Sequence, residues 1–238
     1  MKPPESGGRD ARAPLPGATA LERGRPGRMA LKPLVFALCL LPLVWLGWKA
    51  FDGFLGANPI EAVVRYLGDW ALRFLLIALA VTPLRQITGW SWLARLRRML
   101  GLFAFAYVII HLMSYIGLDQ FFDWSAIGRE IVKRKYITIG MAAVLLLVPL
   151  AVTSTDAMVR RLGGKRWRRL HKLVYVIAPL GVAHHWMMVK KDLTEPMIHA
   201  VILAVLLGWR IVAARRAARH NGGGPSRSET ACAVRSSS

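Results

Sequence analysis

MLGLFAFAYVIIHLMSYIGL, residues 99–118, runs for twenty residues without a formal charge and carries a single histidine, His111. About twenty apolar residues are what an α-helix needs to cross the hydrocarbon core of a bilayer. A helix that is apolar on every side belongs in lipid or in the middle of a large core. The rest of the 238-residue chain decides for lipid, because it repeats the pattern. Further apolar runs occupy 33–48, 70–87, 136–152, 171–189 and 196–214. The run at 70–87 is the least apolar, since Arg73 and Arg85 leave only eleven uncharged residues between them. Pro42, Pro83, Pro149 and Pro179 fall inside runs, which packed membrane helices tolerate. The expected fold is an all-α membrane protein, a bundle of about six transmembrane helices.

Six crossings place both termini on one side, and the basic residues say which. Of 33 Lys and Arg, 24 fall in the N-terminal stretch, the 85–98 and 160–172 loops and the C-terminal stretch, against nine on the other side. The positive-inside rule therefore puts both termini in the cytoplasm. Residues 1–32, rich in Pro, Gly and Arg, read as a disordered basic tail. Residues 215–238 read as a second one, around a transmembrane domain at 33–214. Met29, just before the first apolar run, is an alternative start of translation.

A formal charge of +20 could signal a nucleic-acid binder. Here the charges sit between apolar runs rather than on a soluble domain, which argues against one. Two cysteines, Cys39 in an apolar run and Cys232 in the tail, make neither a disulfide framework nor a zinc site. No dinucleotide fingerprint, phosphate loop, HExxH or Ser/His/Asp grouping occurs. No acidic residue lies within the six runs, which lowers the case for an ion-coupled transporter. The polar chemistry left inside the bilayer is histidine.

Depth follows from topology and a rise of about 1.5 Å per residue. Counted from their cytoplasmic ends, His111 lies roughly 18 Å along its helix and His184 roughly 20 Å along the fifth, nearly the same height. Two neutral imidazoles facing each other from different helices are what a six-coordinate haem requires. His171 lies at the cytoplasmic edge, level with Arg97 and Arg98, so a second haem there would need another ligand. On a straight helix His185 shares the face of His171 better than His184 does, but Pro179 and Gly181 intervene, and spacing leaves both neighbours open. His199 and His220 read as structural or solvated. Arg73 could meet a haem propionate or simply snorkel, and Trp48, Trp70, Trp167 and Trp209 read as an aromatic belt.

The segments RRMLGLFAFAYVIIHLMSY, TSTDAMVRRLGGKRWRRLHKLVY and VAHHWMMVK closely resemble the haem-binding membrane subunits of methionine sulfoxide reductase systems, within the ferric-reductase-like transmembrane family. The likeness covers roughly 33–213, with several motifs in matching order. It implies b-type haem, one or two, on His111, His171 and His184, with His185 as runner-up for the iron. It also implies a non-catalytic electron-transfer role in the bacterial inner membrane. The acceptor would be MsrP, a periplasmic molybdenum enzyme that reduces methionine sulfoxide in oxidised periplasmic proteins. The donor would be a cytosolic NAD(P)H flavin reductase, with FMN as a possible cofactor, or the quinone pool. Two other readings compete: a stand-alone transmembrane ferric reductase, and a non-redox transporter or scaffold whose histidines only make hydrogen bonds.

Overall fold

The Asn58-Pro59-Ile60-Glu61 stretch starts the longest helix of the described residues, and starts it well before the apolar run at 70–87. Asn58 accepts a hydrogen bond from the Glu61 backbone N–H at 3.3 Å and donates its side-chain amide to the Glu61 carboxylate at 3.0 Å. Proline at the first helical position removes one of the backbone donors that a helix start leaves open, and the Asn58 side chain satisfies another. The computed structural model describes residues 27–189 and 192–222. Its helices are α1 (Gly27–Phe51), α2 (Pro59–Thr88), α3 (Leu93–Ser114), α4 (Trp124–Lys133), α5 (Lys135–Val152), α6 (Asp156–Leu162), α7 (Gly164–Leu170), α8 (Val174–Met188) and α9 (Thr194–Gly222). A π turn, Tyr115–Asp119, prolongs α3, and a 3₁₀ turn, His171–Leu173, joins α7 to α8. No strand occurs among the described residues.

Among the described residues, five helices are long and apolar enough to cross a membrane: α1, α2, α3 with its π turn, α5 and α9. The protein is a multi-pass membrane protein. The segment expected as one further crossing, 171–189, is not a continuous helix. Its 15-residue α8 rises only about 22 Å, and the 3₁₀ turn at His171 adds about 6 Å. The expected tail from residue 215 also differs, since α9 continues to Gly222. Residues 1–26 and 223–238, where the two tails were expected, are outside the described residues, apart from the helical 27–32.

α2 is the centre of the bundle. Leu67, Leu72, Phe74, Leu76 and Leu79 are buried along it, whereas α1, α5 and α9 turn most of their apolar surface outward, as lipid-facing helices do. α2 packs along α3 and α5 along α8, and the space between these two pairs holds the site. The fully buried Tyr107 on α3 donates its hydroxyl to the Cys39 carbonyl of α1 at 2.8 Å. Tyr107→Phe removes that tie while keeping the ring in tilted contact with Phe74, whose centroid is 4.9 Å away. The expected outcome is a loss of roughly 0.5–1.5 kcal/mol, read as a lowered thermal midpoint in detergent.

At the arginine-rich end, Arg98 pairs with Asp156 and ties α3 to α6. The hydrogen bond from Arg98 holds the exposed Asp156 carboxyl below the usual carboxylate range. Arg210, near the same end of α9, contacts the Tyr175 hydroxyl and donates to the Leu79 carbonyl at 3.0 Å.

Candidate functional site

Between α2, α3, α5 and α8 lies a cavity of about 1020 Å³, walled by Leu72, Leu75, Val108, Leu147 and Ile177. Arg129, Glu130, Lys133 and Arg134, from α4 and the link to α5, line it toward one end. His111 enters from α3 and His184 from α8, with ring centroids 6.3 Å apart and planes at 80°.

The two imidazoles are held by one device used twice. His111 Nδ1 donates to the Val64 carbonyl of α2 at 2.9 Å, and His184 Nδ1 donates to the Tyr136 carbonyl of α5 at 2.7 Å. Four residues beyond each acceptor comes a glycine, Gly68 on α2 and Gly140 on α5. In an α-helix that residue lies one turn on, directly over the carbonyl. A side chain there would block the ring: a Cβ on Gly68 would sit 3.1 Å from His111 Cε1, and one on Gly140 would sit 2.8 Å from His184 Nδ1. Glycine lets each ring lie flat enough against a neighbouring helix to reach a carbonyl whose second lone pair is free.

Donation through Nδ1 fixes the tautomer, so each Nε2 is an acceptor. Neither Nε2 has a hydrogen-bond partner among the described residues. Backbone carbonyls that orient imidazoles in this way also raise the basicity of the other ring nitrogen. The spacing of the two rings matches that of imidazoles sharing one metal ion. Two metal–nitrogen bonds of about 2.0–2.1 Å and two ring radii of about 1.1 Å account for the 6.3 Å between centroids. Nearby Leu, Val and Ile side chains keep that space apolar.

His171 is not brought to this pair. It sits at the start of the 3₁₀ turn, stacked on Trp167 at 3.9 Å between centroids, and donates Nδ1 to the Trp167 carbonyl at 3.1 Å. Its Nε2 lies 3.4 Å from Ser154 Oγ, but that hydroxyl is committed to the Leu150 carbonyl at 2.6 Å. His171 thus has no facing imidazole, and its Nε2 looks toward Ser154. Trp167 anchors the arrangement by donating Nε1 to the Thr153 carbonyl at 2.9 Å, a role the aromatic-belt reading did not anticipate.

His185, one residue on, lines the same cavity but has other partners. Its Nδ1 lies 3.3 Å from Asp69 of α2, and its ring meets His199 of α9 edge to face at 5.4 Å. The structure therefore separates the neighbours that spacing left open: His184 faces His111, and His185 does not. His199 is 5% exposed and belongs to this second group. Arg73 lies 3.4 Å from Glu195 and over the Trp70 ring, so its partners are on α2 and α9. His220 lies where no side chain is described.

Asp69 is the residue the sequence reading missed. Counting charges in the apolar run began that helix at residue 70, which left Asp69 outside it, although α2 begins at Pro59 and carries Asp69 into the bundle. The Asn-Pro-x-Glu capping pattern was the signal that could have found it.

A half-buried pair of facing imidazoles inside a helical bundle defines a class: multi-pass membrane proteins with a site for a metal-centred cofactor. The profile of the ferric reductase like transmembrane component matches residues 67–182. A relative from Rhodospirillum rubrum, "Protein-methionine-sulfoxide reductase heme-binding subunit MsrQ", is 61% identical over 210 residues, 88% of this chain and 99% of its own. Proteins of the same name from Caulobacter vibrioides and Azospira oryzae are 50% and 52% identical, over 78% and 84% of this chain and 88% and 84% of theirs. The chain belongs to the MsrQ family of ferric-reductase-like transmembrane proteins.

Proposed function

We propose that the protein is the b-type haem membrane subunit of a methionine sulfoxide reductase system and carries electrons across the bacterial inner membrane. The observation that supports this most is the His111–His184 pair, 6.3 Å between ring centroids, each Nδ1 committed to a carbonyl and both residues lining one cavity. The relatives' shared name, heme-binding subunit, points to the same group. Bound there, haem supplies a reversible one-electron carrier. His111 and His184 would be the residues that hold it, and ligation by two imidazoles favours electron transfer over oxygen or substrate chemistry. Val64 and Tyr136 hold both rings in the ligating tautomer, and the apolar wall keeps water from the pair.

His171 is assigned to an auxiliary or second haem site at the arginine-rich end. The basic loops support a cytoplasmic position for that end by the positive-inside rule. The route then runs from His171 outward to the His111–His184 pair. Electrons would come from a cytosolic NAD(P)H flavin reductase, with FMN as a possible cofactor, or from the quinone pool. They would pass to the periplasmic molybdenum enzyme MsrP, which repairs oxidised methionine in periplasmic proteins.

The test is a reduced-minus-oxidised absorption spectrum of the full-length protein purified in detergent after expression with ample haem supply, followed by mixing the reduced protein with MsrP. A low-spin b-type signal that MsrP reoxidises in the presence of methionine sulfoxide supports the reading. A colourless protein overturns it. A haem that reduces iron chelates but not MsrP points to a stand-alone ferric reductase.

A further inference from the structure

At the junction of α2, α8 and α9, Asp69, His185 and Glu195 each offer a donor atom within 4.8 Å of the other two. His199 stands beside them, one turn beyond Glu195 on α9 and in edge-to-face contact with His185. We propose that Asp69, His185 and Glu195, with His199 as a neighbouring donor, form a binding site for a divalent first-row transition-metal ion of the zinc type, separate from the His111–His184 pair.

Three observations carry this. His185 and His199 are 7% and 5% exposed, and each has a buried ring nitrogen without a partner, Nε2 of His185 and Nδ1 of His199. A simple ion pair between His185 and Asp69 satisfies neither of those atoms. The donors come from three helices that the bundle brings together, so the cluster is not the by-product of one helix face. Finally, the donor set is mixed imidazole and carboxylate, which suits zinc and its neighbours and not the all-oxygen preference of magnesium or calcium.

The charges around the cluster agree. Asp69 and Glu195 bring two carboxylates to a place where Arg73 reaches Glu195 only at 3.4 Å and is shared with the Trp70 ring. A bound cation takes over that partnership. Glu195, whose side chain is 54% exposed, is the open side through which an ion enters, while the two histidines close the inner side.

The test is equilibrium dialysis of the full-length, haem-loaded protein in detergent against Zn²⁺, with zinc and iron measured per chain. The wild type is expected to retain one zinc ion, and Asp69→Asn, His185→Gln and Glu195→Gln to bind it at least about tenfold more weakly. Glu195→Gln alters a solvent-facing side chain and should leave the fold intact, so its result stands even if a buried variant misfolds. Asp156→Asn, at the other end of the bundle, should bind zinc as the wild type does. Iron content reports the haem pair independently, which keeps the two sites distinguishable. No zinc above the detergent blank in the wild type, or wild-type affinity in Glu195→Gln and Asp69→Asn together, overturns the proposal.

Discussion

His184→Ala is expected to abolish the low-spin haem spectrum, and His111→Ala to do the same, each with iron content lowered by more than about tenfold relative to wild type. The expectation follows from the geometry of the pair. Each ring is held by its own carbonyl from a different helix, Val64 or Tyr136, so no second histidine is poised to replace a lost one. His185 is the obvious candidate for a substitute, being adjacent in sequence. Its ring is instead held against Asp69 and His199, on another face of α8. His171→Ala retains the spectrum of the pair and loses only what a separate site contributes. Absorption spectra and pyridine haemochrome quantitation of the three variants, purified side by side, decide the matter. A full spectrum in His184→Ala, or its disappearance only in His171→Ala, would sink the assignment of the pair.

The second large effect is expected at a residue with no chemistry of its own. Gly140→Ala puts a methyl group 2.8 Å from His184 Nδ1, closer than side-chain carbons approach such atoms, so the ring must leave the Tyr136 carbonyl. By helix propensity alone the change should stabilise α5 by about 0.8–1 kcal/mol. A loss of haem therefore cannot come from weakening the helix, and reports the collision. Gly68→Ala meets His111 Cε1 at 3.1 Å, where a few tenths of an ångström of movement relieve the contact. Gly101→Ala meets nothing within 4 Å. The haem retained per chain should fall in the order Gly101→Ala, Gly68→Ala, Gly140→Ala, with the last losing most of it. Equal retention in all three would show that the glycines do not set the approach of the rings.

The fold was legible where the physics is one-dimensional. An uncharged run as long as the hydrocarbon core is thick has to be a helix in lipid, and four of the five long helices lie close to where their apolar runs predict them. The fifth, α2, shows the limit. Its start was obscured because Glu61, Arg65, Asp69 and Arg73 break the apolar count, while the cap at Asn58 and burial against α3 hold the helix together regardless. The segment 171–189 shows another limit, since a window of hydropathy cannot register a local tightening to 3₁₀ geometry beside His171.

The site divides along the same line. Depth is a sum of residue rises, so the matching heights of His111 and His184 could be counted along the chain. Azimuth is not such a sum. His184 and His185 differ in depth by about 1.5 Å and in direction by about 100°, and nothing local to α8 says which of them faces α3. Packing decided that: Gly140 opened a place for one ring beside the Tyr136 carbonyl, and Asp69 and His199 received the other. The sequence by itself determined that this is a helical membrane protein with histidines at shared depth. Only the tertiary structure decided which histidines meet, because a rotation about a helix axis changes every partner while leaving composition, periodicity and depth the same.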